Sequence, residues 1–169
     1  EIEQAVPAIA AHQGPVYMRL LRGNVPLVLD EYGYKFEIGK AKTLRTGNDV
    51  LIISTGLMTM RALEAAKALQ ADGVDVAVLH VPTIKPLDEQ TILAEARKTG
   101  RLVVTAENHS IIGGLGEAVA TVLLRNGATP TFRQIALPDA FLDAGALPTL
   151  HDRYGISTQA VCARVKGWL

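Results

Sequence analysis

The sequence predicts an α/β fold: three layers built on a mostly parallel mixed sheet that carries one antiparallel strand. Three observations predict it. Strand-like and helix-like runs alternate from about Lys35 onward at short spacing, which implies βαβ units with helices on both faces of a sheet. The runs VLIIS (50–54) and LVVT (102–105) are almost wholly apolar, as doubly covered strands are. Two strand-like runs flank Thr46-Gly47-Asn48-Asp49, a turn signal that predicts a hairpin and so an antiparallel pair.

Taken in order, Glu1 to His12 reads as a helix with Ile2, Val6 and Ile9 on one face, interrupted by Pro7. After Gly14-Pro15, the run VYMRL (16–20) alternates and reads as a strand. Neither element alone can bury its apolar face, so residues 1–21 read as the tail of a preceding domain. Residues 22–34, with Gly23, Asn24, Pro26 and Gly33, read as a linker, and 35–169 as the main domain.

Within that domain, a helix is expected from Gly56 to about Ala71, with Met60, Leu63, Ala66 and Leu69 inward. VDVAVLHV (74–81) is a strand, and Asp88 caps a helix running to about Thr99 with Ile92, Leu93 and Ala96 inward. RLVVTAE (101–107) is a strand. Gly114 or Gly116 opens a helix to about Asn126, TFRQIAL (131–137) is the next strand, and Ser157 caps a final helix.

The chain has 169 residues, with Lys+Arg and Asp+Glu balanced at 17 each. That balance supplies no field to draw in nucleic acid or an anionic membrane surface. No apolar run reaches the length of a membrane helix. Cys162 is the single cysteine, so no internal disulfide forms, and a reducing, cytoplasmic setting is expected. The chain lacks a starting Met and reads as a piece of something longer.

The stretch ENHSIIGGLGEAV (107–119) carries the first candidate site. A glycine turn that opens a helix can cradle a phosphate with its backbone N–H groups. Gly113, Gly114 and Gly116 could do this. The dinucleotide spacing is not met, because Val119 stands where a third glycine belongs, and the stretch holds no Lys or Arg. Glu117 in the first helical turn would itself satisfy the helix dipole. A tight, closely packed turn is therefore the favoured reading. Glu107 and His109 follow a parallel strand at its carboxyl end, where open α/β sheets bind ligands, and spacing puts their side chains on one side. A structural polar pair, or a pair facing another subunit, is the competing reading.

Arg22 leaves the first strand beside Gly23-Asn24, a position that suits a phosphate or carboxylate and equally a solvated linker arginine. His80 and the PTIKPLD segment (82–88) read as structural, with Lys85 and Asp88 able to pair across the turn. His12 and His151 are expected to face solvent. Nucleophile-elbow, zinc-protease and P-loop motifs are absent.

Five segments then appear in order: GPVYMRLLRGNVP (14–26), YKFEIGKA (34–41), PTIKPLD, ENHSIIGGLGEAV and IALPDAF (135–141). Together they resemble the C-terminal part of the transketolase family, and most closely the separate C-terminal subunit of bacterial split transketolases. The resemblance covers nearly the whole chain. It implies a fragment: the end of a pyrimidine-binding domain, then a complete C-terminal domain with a mixed sheet. It implies thiamine diphosphate and Mg²⁺ in the full enzyme, and transfer of a two-carbon ketol unit between sugar phosphates. The family's Gly-Asp-Gly…Asn cofactor motif and its activating glutamate match no residue here, so no cofactor is expected on this fragment, and it is expected to be inactive alone.

One functional position carries over: Arg22 matches the family's sugar-phosphate arginine. The resemblance also implies subunit packing by this domain, with Glu107, His109, Gly113, Gly114 and Gly116 near the packing edge. The expected partners are a transketolase N-terminal subunit or domains and a second copy in a homodimer. The β-type subunits of 2-oxo acid dehydrogenases share some of these features, and a non-catalytic assembly or regulatory ligand-binding module is a further alternative. Deoxyxylulose phosphate synthases carry a phosphate-binding arginine where Pro82 stands here, which counts against them.

Overall fold

The structure, a computed structural model, describes residues 1–21 and 25–169. A first helix, α1 (Ile2–Ala11), precedes a single 3₁₀ turn at Leu29–Tyr32. The α/β unit follows as β1 (Lys42–Arg45), β2 (Val50–Ser54), α2 (Leu57–Ala71), β3 (Val76–His80), α3 (Glu89–Ala96), β4 (Leu102–Ser110), α4 (Leu115–Arg125), β5 (Phe132–Leu137), α5 (Leu147–Arg153) and α6 (Thr158–Trp168).

The five strands form one sheet in the order β1-β3-β2-β4-β5. β1 runs antiparallel to β3, and the other neighbours are parallel. Period-two alternation sends Val50 and Ile52 to one face and Leu51 and Ile53 to the other. The first face packs with Met58, Leu69, Val161 and Val165 of α2 and α6. The second packs with Ile92, Leu115, Val119 and Leu123 of α3 and α4. The three-layer mixed sheet expected from the sequence is the one observed.

Several local expectations are corrected. β1 and β2 do not form a hairpin, because β3 lies between them. β2 is buried at every position and takes parallel neighbours on both edges, whereas β1 is largely half-exposed and belongs at the rim. Residues 46–49 therefore cross the start of β3. A Cβ on Gly47 would collide with the Val76 carbonyl, and Asp49 Oδ2 accepts from the Asp75 N–H at 2.7 Å to hold the crossing. The run VYMRL forms no strand, since no other described strand pairs with it. On α2 the core position is Met58 rather than Met60. The segment Leu147–Arg153 forms a helix in addition to those expected from the sequence.

The caps read from sequence are in place. Asp88 Oδ1 accepts from Thr91 N at 3.1 Å, and Ser157 Oγ accepts from Ala160 N at 3.3 Å. Asp88 does more than cap: its Oδ2 also accepts from Ala41 N at 2.9 Å, fastening the approach to β1 onto α3. No hydrogen bond joins it to Lys85 among the described residues.

Candidate functional site at the carboxyl edge of the sheet

β4 is buried through Glu107, and the chain then turns through Gly113, at φ 76°, into α4. Glu107 is 3% exposed. Its two carboxylate oxygens accept from the N–H groups of Leu115 and Gly116, both at 2.8 Å. Gly114 lies so close to this carboxylate that a Cβ would collide with it. Glu117 accepts from the Gly113 N–H at 2.8 Å. The positive end of α4 is thus occupied by the chain's own carboxylates. A diphosphate does not fit here: it would meet two carboxylates, and the N–H groups of Gly113, Leu115 and Gly116 that would donate to it already donate to Glu117 and Glu107.

Glu107, Gly113, Gly114 and Gly116 therefore come together, as a tight turn. His109 does not join them. It is exposed, and no hydrogen bond links it to Glu107 among the described residues. The two-residue spacing fails as a guide because the β4–β5 register shifts between Ala106 and Ser110. Arg22 lies outside the described residues. Three residues earlier, Arg19 Nη2 donates to the Asn108 carbonyl at 3.0 Å and ties that segment to the end of β4.

A second polar cluster sits at the ends of β2 and β3. His80 is 1% exposed. Its Nδ1 lies 2.8 Å from Thr59 Oγ1, which lies 3.0 Å from Ser54 Oγ, and its Nε2 lies 2.5 Å from Glu1 Oε2. The Tyr34 ring stands edge-on to the imidazole, with centroids 5.3 Å apart. Burial pushes the Glu1 carboxyl up, but the hydrogen bond and charge of His80 outweigh it and hold the group below its ordinary value. Burial, followed by the Glu1 charge, raises the Tyr34 phenol. The hydroxyl–imidazole–carboxylate order is that of a nucleophilic triad. Ser54 and Thr59 are sealed at 0% and 2% exposure, so the cluster acts as a fastening rather than as a nucleophile. The sequence marked His80 as structural; its partner Glu1, at the other end of the fold's first half, left no local signal.

His151 is buried, not solvent-facing as expected from sequence. Burial, then the nearby Arg61 charge, lowers its pKa. The α5 helix carries it inward. Among the described residues no group of three or more His, Cys, Asp or Glu side chains is placed to hold a metal ion. No described helix is long and apolar enough to cross a membrane.

Residues 39–161 match the family described as transketolase, C-terminal domain. The chain belongs to that family. It is 74% identical over its whole length to the transketolase family protein y4mN of Sinorhizobium fredii, of which it spans 49%. It is 44% identical, over 95% of its length, to the 6-deoxy-6-sulfo-D-fructose transketolase subunit SqwH of a Clostridium species, again spanning 49% of that protein. A solved split gene transketolase, described as an inactive beta4 tetramer, superposes with a TM-score of 0.88 at 40% identity. That match covers 97% of this chain and 53% of the other. The transketolase domain thus spans about half the length of the relatives it matches.

Proposed function

We propose that this chain is the C-terminal part of a thiamine diphosphate-dependent transketolase, in which it packs subunits and supplies part of the substrate-phosphate site. The supporting observation is its likeness, over 97% of its length, to about half of a split transketolase chain. The carbon chemistry is the cofactor's, with Mg²⁺, held by the rest of the enzyme. Residues 1–21 are the end of the pyrimidine-binding domain, 22–34 the connection and 35–169 the C-terminal domain.

Arg22 is the residue assigned to the sugar's anionic end, where a guanidinium gives two parallel hydrogen bonds to a phosphate. The Clostridium relative is named for a sulfonated ketose, another anionic sugar. The packing edge is the loop pair beyond β4 and β5. Ile112 is 56% exposed beyond β4, His109 is exposed near the end of that strand, and Phe141 is fully exposed beyond β5. An N-terminal subunit or domains and a second copy in a homodimer are the partners. The isolated fragment binds no cofactor and is inactive, and the enzyme works in the cytoplasm.

The experiment is steady-state kinetics of the complete enzyme with Arg22→Ala. The KM for a phosphorylated ketose should rise about tenfold or more, with a smaller change in kcat. An unchanged KM would remove Arg22 from the site.

A further inference from the structure

Helix α1 has two unlike edges. The polar edge faces the α/β unit. Glu1 meets His80, and the Gln4 amide donates to the Tyr34 carbonyl at 3.3 Å and accepts from Phe36 N–H at 2.7 Å. Ala5, 3% exposed, closes the gap. The other edge is apolar and open: Ile2 is 50% exposed and Val6 53%. A helix laid on a core by the hydrophobic effect does the reverse. The grip on the unit is polar, and one buried imidazole is its centre.

That imidazole is held at both ring nitrogens and along one edge. Thr59 fixes Nδ1, Glu1 takes Nε2, and Tyr34 closes one flank. Without Glu1, a ring nitrogen at a 1%-exposed residue would lose its partner, which costs more than the bond itself contributes. The far end of the same segment is tied down separately by Arg19 on the Asn108 carbonyl. Both ties sit at the carboxyl edge, one at the end of β3 and one near the end of β4.

We propose that α1 is a coupling helix: the Glu1–His80 bond latches it to the α/β unit, and its Ile2–Val6 edge is covered by the upstream part of the longer polypeptide. This rests on reading the chain as the C-terminal part of a longer protein. The relatives are about twice its length, since it spans 49% of each. Chain preceding Glu1 emerges beside His80, one residue from the exposed Ile2 that begins the apolar edge. Movement of the upstream part is then carried to the ends of β2 and β3 through one His–carboxylate contact.

The test uses the full-length protein and needs no ketol transfer, so its failure is distinct from failure of the transketolase reading. Amide hydrogen exchange of residues 2–11 is compared in the native protein, Glu1→Gln and His80→Gln. Either substitution should lower protection of α1 about tenfold while β2 and β4 keep theirs, as expected for loss of a hydrogen bond to a charged group. Should His80→Gln fail to fold, Glu1→Gln decides alone, since the Glu1 side chain is 28% exposed and outside the core. Equal protection in Glu1→Gln and the native protein overturns the latch. Thiol labelling of Val6→Cys, in a Cys162→Ala background, reads the other edge. It should be at least about tenfold slower than labelling of Lys67→Cys on exposed α2 surface. Equal rates overturn the cover. Slowing that appears only as protein concentration rises assigns the edge to a second copy and overturns the upstream occupant.

Discussion

Glu107 and Gly116 are joined by a 2.8 Å hydrogen bond from the glycine N–H to a carboxylate oxygen, while the other oxygen takes the neighbouring Leu115 N–H. One side chain therefore closes the N-terminus of α4 from inside the core. Glu107→Ala leaves two buried N–H groups without a partner. It should destabilise the fold by about 2–5 kcal/mol, about 1–3 for each group, read as a lower urea midpoint at constant slope. Glu107→Gln keeps one acceptor oxygen and should cost less. Inorganic diphosphate should leave the native thermal midpoint unchanged.

Gly114→Ala should act through the same contact. Its Cβ would displace the Glu107 carboxylate, so the loss should approach that of Glu107→Ala, and the double variant should fall well short of the sum. A double-mutant cycle by denaturant unfolding checks this. Additive losses would mean that the glycine and the carboxylate do not share one site.

Asp88 fastens two elements at once, through the Thr91 N–H and hydroxyl and through Ala41 N. Asp88→Ala should cost about 1–2 kcal/mol, the upper part of the range for a lost helix cap, because the approach to β1 loses an acceptor as well. Asp88→Asn keeps a capping oxygen and should recover much of that. Equilibrium unfolding of the two variants makes the comparison.

Stability should fall with acid in two stages. His151 has its pKa lowered by burial and by Arg61, so the unfolded chain takes up its proton first. Stability should begin to decline as pH drops through the ordinary histidine value of 6.5. Glu1, Asp88 and Glu95 are held below their ordinary values, because hydrogen bonds and charges outweigh the burial that pushes each carboxyl up. Their contribution is complete above the unfolded carboxylate range and is lost as pH falls through the lowered folded values. His151→Phe should flatten the first stage and Asp88→Asn should shallow the second. Urea midpoints between pH 7 and 3 read both.

The sheet was legible because its signal is local. VLIIS and LVVT must be covered on both faces, and helices of matching period lie between them. Strand order was not legible. Thr46-Gly47-Asn48-Asp49 looks like a hairpin turn, and only the long-range pairing of β3 with both β1 and β2 places β3 between them, with Gly47 packed against Val76 at the crossing. The same limit applies to the site. Glu107 and the glycines lie within ten residues of each other, and their chemistry could be read as a turn without a phosphate. His80 finds its carboxylate at Glu1, 79 residues away, and no spacing rule reaches that far. His109 does not pair with Glu107, because the alternation that would put both side chains on one side is broken along this stretch of β4.

Ketol transfer from a ketose phosphate to an aldose phosphate tests most directly whether this domain works as part of a thiamine diphosphate-dependent transketolase. It is run with the complete enzyme, with each part alone, and with thiamine diphosphate and Mg²⁺ present or withheld. Transfer by the complete enzyme only, dependent on the cofactor, is the predicted result. Transfer by this fragment alone, or no cofactor-dependent transfer by the complete protein on any anionic ketose, would contradict it.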